Sequence, residues 1–329
     1  LTATAMDFNG TVTISGDTTL EDGADLITAS AGTSNVRLGV NAGNSITSGG
    51  NYNVVVGDEA GTALTTGDNN VAIGFEALKT EDADGNNVAV GYRALKTLNA
   101  GGDGNNVAVG YITGQSVTTG HSNTLLGALA ADALTEGDEN VAIGKHALGG
   151  ETLGNYSVAI GSAALKAQNF TTSTSAYNVA VGRGAGQAVT TGQYNTLVGG
   201  IAGDAKTTGN GDVAIGYQAL SADVAGQNST AVGRAALSAQ NFTTATNTYN
   251  VAVGRGAGTS VTTGLQNTLV GALAGDALTD ADYNVALGYL ALSTDTLGSK
   301  STALGQRALG TQNFTTATDS LNTAVGYQA

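Results

Sequence analysis

The stretch "NVAVGRGAG" at residues 178–186 is repeated letter for letter at residues 250–258. A glycine-rich turn after an apolar, β-like run can bind a phosphate through backbone N–H groups, as in dinucleotide and P-loop sites. Such a site is normally built once per domain, within a strand–turn–helix unit. Repetition instead favours a structural unit, so we interpret the motif as one turn of a repeat array.

The repeat is defined by the glycine of Asn-Val-Ala-(Ile/Val)-Gly, which we call the anchor; each repeat is a rung, and positions are numbered from its anchor. The seventeen anchors are Gly39, Gly57, Gly74, Gly91, Gly110, Gly127, Gly144, Gly161, Gly182, Gly199, Gly216, Gly233, Gly254, Gly271, Gly288, Gly305 and Gly326. Most lie 17 residues apart, and position −1 is always Ile, Val or Leu. This period predicts a solenoid in which each rung contacts only its neighbours.

The rungs form blocks of four, because position +4 is Gly or Ala in the first two rungs of a block and Leu in the last two. Each of the last three blocks ends in a longer, 21-residue spacing, which creates spacer segments at residues 168–177, 240–249 and 312–320. Insertions are tolerated where a chain faces solvent, so we expect loops there, each held onto the roll by its phenylalanine. The candidate surface residues are Asn169, Phe170, Tyr177, Asn241, Phe242, Tyr249, Asn313 and Phe314.

Composition agrees with many tight turns and narrows the possible functions. The 329 residues include 50 glycines and no proline or cysteine, so every turn keeps its backbone donor and there are no disulfides or thiolate ligands. A net charge of −14 argues against nucleic-acid binding, and no apolar run is long enough to span a membrane. No feature indicates a cofactor.

Each rung is expected to hold two short strands, the second being β-branched, as in Ala188–Gly192. Alternation places Val71 and Ile73 on one face, and we expect such residues, with Val181 and Val253, to build the core and the contact between chains. Seven glycines are predicted as structural anchors in particular: Gly74, Gly91, Gly144, Gly182, Gly216, Gly254 and Gly288. The fold predicted for residues 35–329 is an all-β parallel β-solenoid or β-roll in a homotrimeric fibre, preceded by a β linker or cap at residues 1–34.

The asparagine at position −4 is expected to adopt left-handed geometry and to link rungs through a side-chain amide ladder. Calcium binding is the competing interpretation, but the turn aspartates stand singly, without the spacing of calcium-binding β-rolls. His121 and His146 have no second histidine at ligand spacing, so we expect no metal site.

Two other solenoid classes fit less well. Hexapeptide-helix acyltransferases need three aliphatic hexads per coil and a catalytic histidine, and neither requirement is met here, which favours a non-enzymatic chain. Ice-binding solenoids present Thr-x-Thr ladders, whereas adjacent pairs such as Thr190-Thr191 point to opposite sides of a strand.

Segments such as "NNVAIGFEAL" (69–78), "NNVAVGYRAL" (86–95), "NYSVAIGSAAL" (155–165) and "GDVAIGYQAL" (211–220) resemble the head repeats of YadA-like trimeric autotransporter adhesins. Similar repeats occur in predicted bacteriophage tail fibres. The resemblance, which covers residues 35–329, implies a left-handed parallel β-roll wound as a trimer that binds host surface molecules. The 17-residue period is longer than is usual in those heads, and the sequence shows no coiled-coil stalk or β-barrel anchor.

The resemblance favours a structural tail-fibre segment that extends toward or binds the host surface, on a virion. The alternative is the head of a bacterial trimeric surface adhesin, on a cell surface. The expected partners are two identical chains and a host glycan or protein. Recurrent turn tyrosines suit carbohydrate stacking, although covering neighbouring rungs is the simpler role for them.

Overall fold

The computed structural model describes residues 31–329 as an all-β parallel β-solenoid of seventeen rungs, and no helix occurs within this range. One three-residue strand per rung joins a single parallel sheet, with like positions in register, so that Ala180 lies opposite Leu197. These strands are Val36–Leu38, Val54–Val56, Val71–Ile73, Val88–Val90, Val107–Val109, Thr124–Leu126, Val141–Ile143, Val158–Ile160, Val179–Val181, Thr196–Val198, Val213–Ile215, Thr230–Val232, Val251–Val253, Thr268–Val270, Val285–Leu287, Thr302–Leu304 and Thr323–Val325. The solenoid prediction is confirmed. The predicted linker or cap lies, except for residues 31–34, outside the described residues.

The prediction of a second strand in every rung is wrong. Residues 188–192 form turns and bends. Backbone hydrogen bonds still join rungs on this side, since Thr190 N–H donates to the Thr207 carbonyl at 2.9 Å, but the chain bends at Thr190 and Thr191 after a turn with left-handed residues at positions +2 and +4. Within residues 31–329, additional two-residue strands occur only where a spacer segment pairs with the rung before it. They pair Gly154–Asn155 with Thr174–Ser175, Gly226–Gln227 with Thr246–Asn247, and Gly298–Ser299 with Thr318–Asp319.

The anchor glycines turn the chain at the end of each rung strand. Gly182 has φ of +138°, and a Cβ built there would lie 2.5 Å from the carbonyl oxygen of Gly199, the next anchor. Both the backbone angle and this close approach exclude a larger residue. The same combination holds at the anchors singled out from the sequence, namely Gly74, Gly91, Gly144, Gly216, Gly254 and Gly288, with φ between +126° and +139°.

The core of each chain is built from alanine and leucine. Position −2, for example Ala72, points inward and is fully buried, as are Ala77 and Leu78. The prediction that Val71, Ile73, Val181 and Val253 form the core is therefore wrong for the single chain, because these side chains lie on the outer side of the sheet, half-buried or exposed. Alternation was predicted correctly, but the small residue between two aliphatic ones faces the narrow interior.

Compensating volumes explain the block of four. In the second rung of block three, Leu197 replaces the inward alanine, and added Cβ atoms at Gly186 and Gly203 would approach its methyl groups to 2.7 and 2.9 Å. In the third and fourth rungs the inward residue is Ala214 or Ala231 and position +4 is leucine. Each leucine thus occupies space left by a small residue in its own or an adjacent rung.

The asparagines at position −4 form a buried ladder along the roll. Asn140 N–H donates to Asn123 Oδ1 at 2.9 Å, and Asn140 Nδ2 donates to the carbonyl oxygen of Gly154 at 2.9 Å. The predicted amide ladder is confirmed, but its bonds run from side chain to backbone. The left-handed residue is the preceding one, as at Glu139, because position −4 must point its amide inward while position −5 makes the turn.

A second ladder at position −6 runs in the opposite direction. His121 N–H donates to Asp138 Oδ1 at 2.8 Å, and Leu265 N–H donates to Asp282 Oδ1 at 2.7 Å. Among the turn aspartates considered as calcium ligands, Asp68, Asp138 and Asp282 therefore accept backbone hydrogen bonds from the rung before. No group of three or more His, Cys, Asp or Glu side chains that could hold a metal ion occurs in residues 31–329.

Candidate interaction surface

The outer side of the long sheet carries two aliphatic columns that no other part of residues 31–329 covers. Position −1 is Ile, Val or Leu in all rungs and position −3 is Val or Thr. Leu38 and Leu126 are each 46% exposed, and Leu287 is 42% exposed. We call the surface formed by positions −5, −3, −1 and +1 the outer sheet face. It extends over all seventeen rungs, far beyond an apolar patch that a monomer ordinarily exposes.

Aromatic columns border this face on both sides. At position −5, the rings of Tyr156 and Tyr177 stack with centroids 5.0 Å apart, and Tyr194 follows at 5.9 Å. At position +1, Phe75 stacks on Tyr92 at 5.5 Å, and Tyr92 stacks on Tyr111 at 5.3 Å. The stacks run along the rod, so ring faces within each stack are covered by neighbouring rings. This arrangement fits tyrosines that cover neighbouring rungs better than tyrosines that each stack flat against a sugar.

The spacer segments lie against the roll and are joined to it by short strand pairs. Phe170 and Phe242 are buried and Phe314, in the last spacer, is half-buried, whereas Asn169, Asn241 and Asn313 are exposed. Tyr177 and Tyr249 end their spacers on the outer sheet face, at position −5, with about half of their surface exposed. Residues 171–173 of the first spacer are exposed, whereas Gln168 and Ala176 in the same spacer are buried.

Each spacer is held by a buried polar network that the sequence analysis missed. Gln168 Nε2 donates to Glu151 Oε2 at 2.8 Å and to Ser157 Oγ at 2.9 Å. Gln168 Oε1 then accepts from Asn178 Nδ2 at 2.8 Å. Ser157 stands where the ladder would have asparagine, so the glutamine carries the ladder across this rung. Two further blocks repeat the arrangement with Asp223, Ser229, Gln240 and Asn250, and with Asp295, Ser301, Gln312 and Asn322.

The carboxylate of this network also fixes the spacer backbone. Glu151 Oε1 accepts hydrogen bonds from Phe170 N–H at 3.1 Å and from Gly154 N–H at 2.7 Å. In the first block the fourth rung has Leu98 in place of the glutamine, and Oε2 of the equivalent Glu81 has no hydrogen-bond partner. Burial, with a smaller contribution from the neighbouring Asp84 carboxylate, raises the pKa of Glu81 to about 8.

A buried ion cluster distinguishes the third block. Lys206 is completely buried, with Nζ 2.7 Å from Asp212 Oδ2 and 3.0 Å from Asp223 Oδ2. It also donates to the carbonyl oxygen of Gly226 at 2.8 Å. Position +7 in the second rung is leucine in the other blocks, so only the third block has a charged residue at this position.

Surface charges cluster near the first block. Glu76 accepts from Lys79, Arg93 and Lys96 at 2.7–2.8 Å, and these cations, Lys79 foremost, lower its pKa to about 2. His121 Nδ1 lies 3.1 Å from Asp138 Oδ1.

The sequence matches no known protein family and no curated protein. Within residues 31–329 the search for membrane-spanning helices found none. The site residues chosen from the sequence therefore divide into two groups. Anchors and spacer phenylalanines support the roll, whereas the tyrosines of the spacers contribute to the outer sheet face.

Proposed function

We propose that this chain is a structural segment of a homotrimeric attachment fibre, most specifically a bacteriophage tail fibre that extends toward or binds the host surface. The observation that carries the proposal is the aliphatic outer sheet face, which runs along all seventeen rungs of the solenoid and is left uncovered by the rest of residues 31–329. With about 4.8 Å per rung, sixteen steps span roughly 77 Å. A rod with such a face is suited to form a long, stiff fibre rather than to enclose a substrate.

The outer sheet face supports self-association. Two columns of Ile, Leu, Val and Thr remain in contact with water in the single chain, and association of identical chains through this face removes them from water. The buried Asn ladder already satisfies the interior amides, so the apolar outer columns are the main surface left to bury. A host glycan or protein would then contact the surfaces left outside the assembly, which include the exposed residues of the spacers.

Sedimentation of the full chain tests the assembly. We expect one species of three times the 32.3 kDa chain mass, and electron micrographs showing straight rods. A single 32.3 kDa species at micromolar concentration would contradict the proposal. Immunogold labelling with antibodies against the chain tests the location. Gold on virion tails supports a tail fibre, whereas gold on bacterial envelopes alone would replace it by the surface-adhesin alternative.

A further inference from the structure

In several rungs the two edges of the outer sheet face carry complementary residues. Positions −5 and +1 lie on either side of each rung strand and are six residues apart in sequence. In rung 7 the only acidic residue of the −5 column, Glu139, shares its rung with the only lysine of the +1 column, Lys145. Both are exposed, and neither takes part in an ion pair within residues 31–329.

Size is matched in the same way in rungs 10 and 11, whereas rung 15 has tyrosine at both positions, Tyr283 and Tyr289. Gly200 is the only glycine of the +1 column, and its rung has Tyr194 at position −5. In the next rung Gly211 is the only glycine of the −5 column and Tyr217 is at position +1. The tyrosine therefore moves from position −5 to position +1 between these two rungs, and the glycine moves from position +1 to position −5.

The fold of the single chain does not require these two glycines. Gly200 has an ordinary backbone angle, and an added Cβ would come no closer than 3.4 Å to the Tyr217 ring. Gly211 has φ of +70°, but every other rung places a non-glycine residue at position −5 with a similar angle, as at Tyr194 with φ of 60°. Gly200 and Gly211 thus leave space beside a tyrosine of the same rung, and the fold of the single chain does not require that space.

Cation and aromatic residues follow the same rule. Arg183 shares its rung with Tyr177, and Arg255 shares its rung with Tyr249. A guanidinium over a tyrosine ring is favourable, all the more so where water is excluded. Within the chain, the ring contacts of Tyr177 are with Tyr156 and Tyr194 of its own column.

We propose that identical chains associate in parallel and in register, with the −5 edge of one chain meeting the +1 edge of the next at the same rung. This inference rests on the proposed self-association and adds what specifies its alignment. A rotation about the rod axis brings opposite edges of neighbouring chains together at equal height. A shift by one rung would place Tyr194 against Tyr217 and Glu139 against Ser162 or Ala128, and an antiparallel pair would set each rung against one from the other end of the array.

A size exchange tests the alignment. Gly200→Tyr is expected to weaken association of the full chain at least tenfold, as measured by sedimentation, because its new ring meets Tyr194 of the neighbouring chain. Gly200→Tyr combined with Tyr194→Gly should restore association to within about threefold of wild type, since position 194 has the left-handed angle that glycine adopts freely. The matched control combines Gly200→Tyr with Tyr177→Gly, one rung away, and should not be rescued.

Charge reversal provides an independent test. Lys145→Glu should weaken association roughly tenfold through repulsion from Glu139, and the double variant with Glu139→Lys should recover it. Rescue of Gly200→Tyr by Tyr177→Gly as well as by Tyr194→Gly, or full association of Gly200→Tyr alone, would overturn the alignment while leaving self-association standing. A wild-type monomer would instead overturn the proposed function itself.

Discussion

Lys206 Nζ lies 2.7 Å from Asp212 Oδ2 inside the roll, and both side chains are completely buried. The corresponding pairs in the neighbouring blocks are Leu134 with Asn140 and Leu278 with Asn284. Two positions six residues apart have therefore changed together, from an apolar residue beside an amide to a cation beside a carboxylate. An isolated buried charge would be very costly, so the second change accompanies the first.

Replacement of the lysine alone is predicted to be strongly destabilising. Lys206→Leu leaves Asp212 buried without its cation, and we expect a loss of about 3–5 kcal/mol in the free energy of unfolding. Adding Asp212→Asn recreates the pair found in the adjacent blocks and should recover the loss or exceed it. Denaturant unfolding of the two variants checks this, and equal stability of single and double variants would contradict it.

The pKa of Glu81 predicts a pH dependence. The folded-state pKa of about 8 lies above the ordinary glutamate value of 4.5, so the folded protein holds this proton more tightly than the unfolded chain. The resulting stability is complete below about pH 4.5 and is lost as pH rises through 8, on the order of 4 kcal/mol in all. Glu81→Gln should remove this fall in Tm between pH 5 and 9. The exposed Glu136→Gln serves as control and should retain it.

An anchor glycine should tolerate no side chain. Gly182→Ala is expected to cost about 2–4 kcal/mol, because the alanine must adopt φ of +138° and its Cβ meets the Gly199 carbonyl. Gly200→Ala, eighteen residues along, has an ordinary angle and room for a methyl group, and should change stability by less than about 0.5 kcal/mol. Thermal melts compare them directly, and similar losses at both positions would refute the role of the anchor.

Phe242 is predicted to hold its spacer onto the roll. Phe242→Ala should loosen residues 240–249 and accelerate protease cleavage there, while the Asn ladder keeps adjacent rungs folded. Phe242→Leu, which retains most of the apolar contact, should remain resistant. If the alanine variant instead loses rungs on both sides, as seen by hydrogen exchange, the phenylalanine supports the whole block.

The solenoid architecture could be predicted because the same sequence motif recurs seventeen times at a nearly constant period. Even so, the second strand was predicted from the β-branched Thr190-Thr191, whereas the structure has a bend at these two residues, so local β propensity alone did not decide the conformation. The core assignment failed for Val71 because hydrophobicity alone does not tell which side of a thin roll is inside. Alanine at position −2 of most rungs was the available sign that the interior is narrow.

The buried polar groups were hardest to predict. Lys206 was missed since lysine is rarely buried, and only its joint departure with Asp212 from the block pattern marks it. From the sequence, Gln168 is only the first residue of a spacer, and no role was predicted for its side chain. Its role depends on Ser157, eleven residues earlier, which interrupts the ladder that the glutamine completes.

The volume match around Leu197 recurs with the block, and the glutamine relay spans the junctions that follow the second and third blocks, so those junctions are of the same kind and lie 72 residues apart. Unequal recombination that removes or duplicates one block would then change the reach of the fibre by about 19 Å without creating a new interface. The length of the fibre can therefore be inherited and can change in whole blocks.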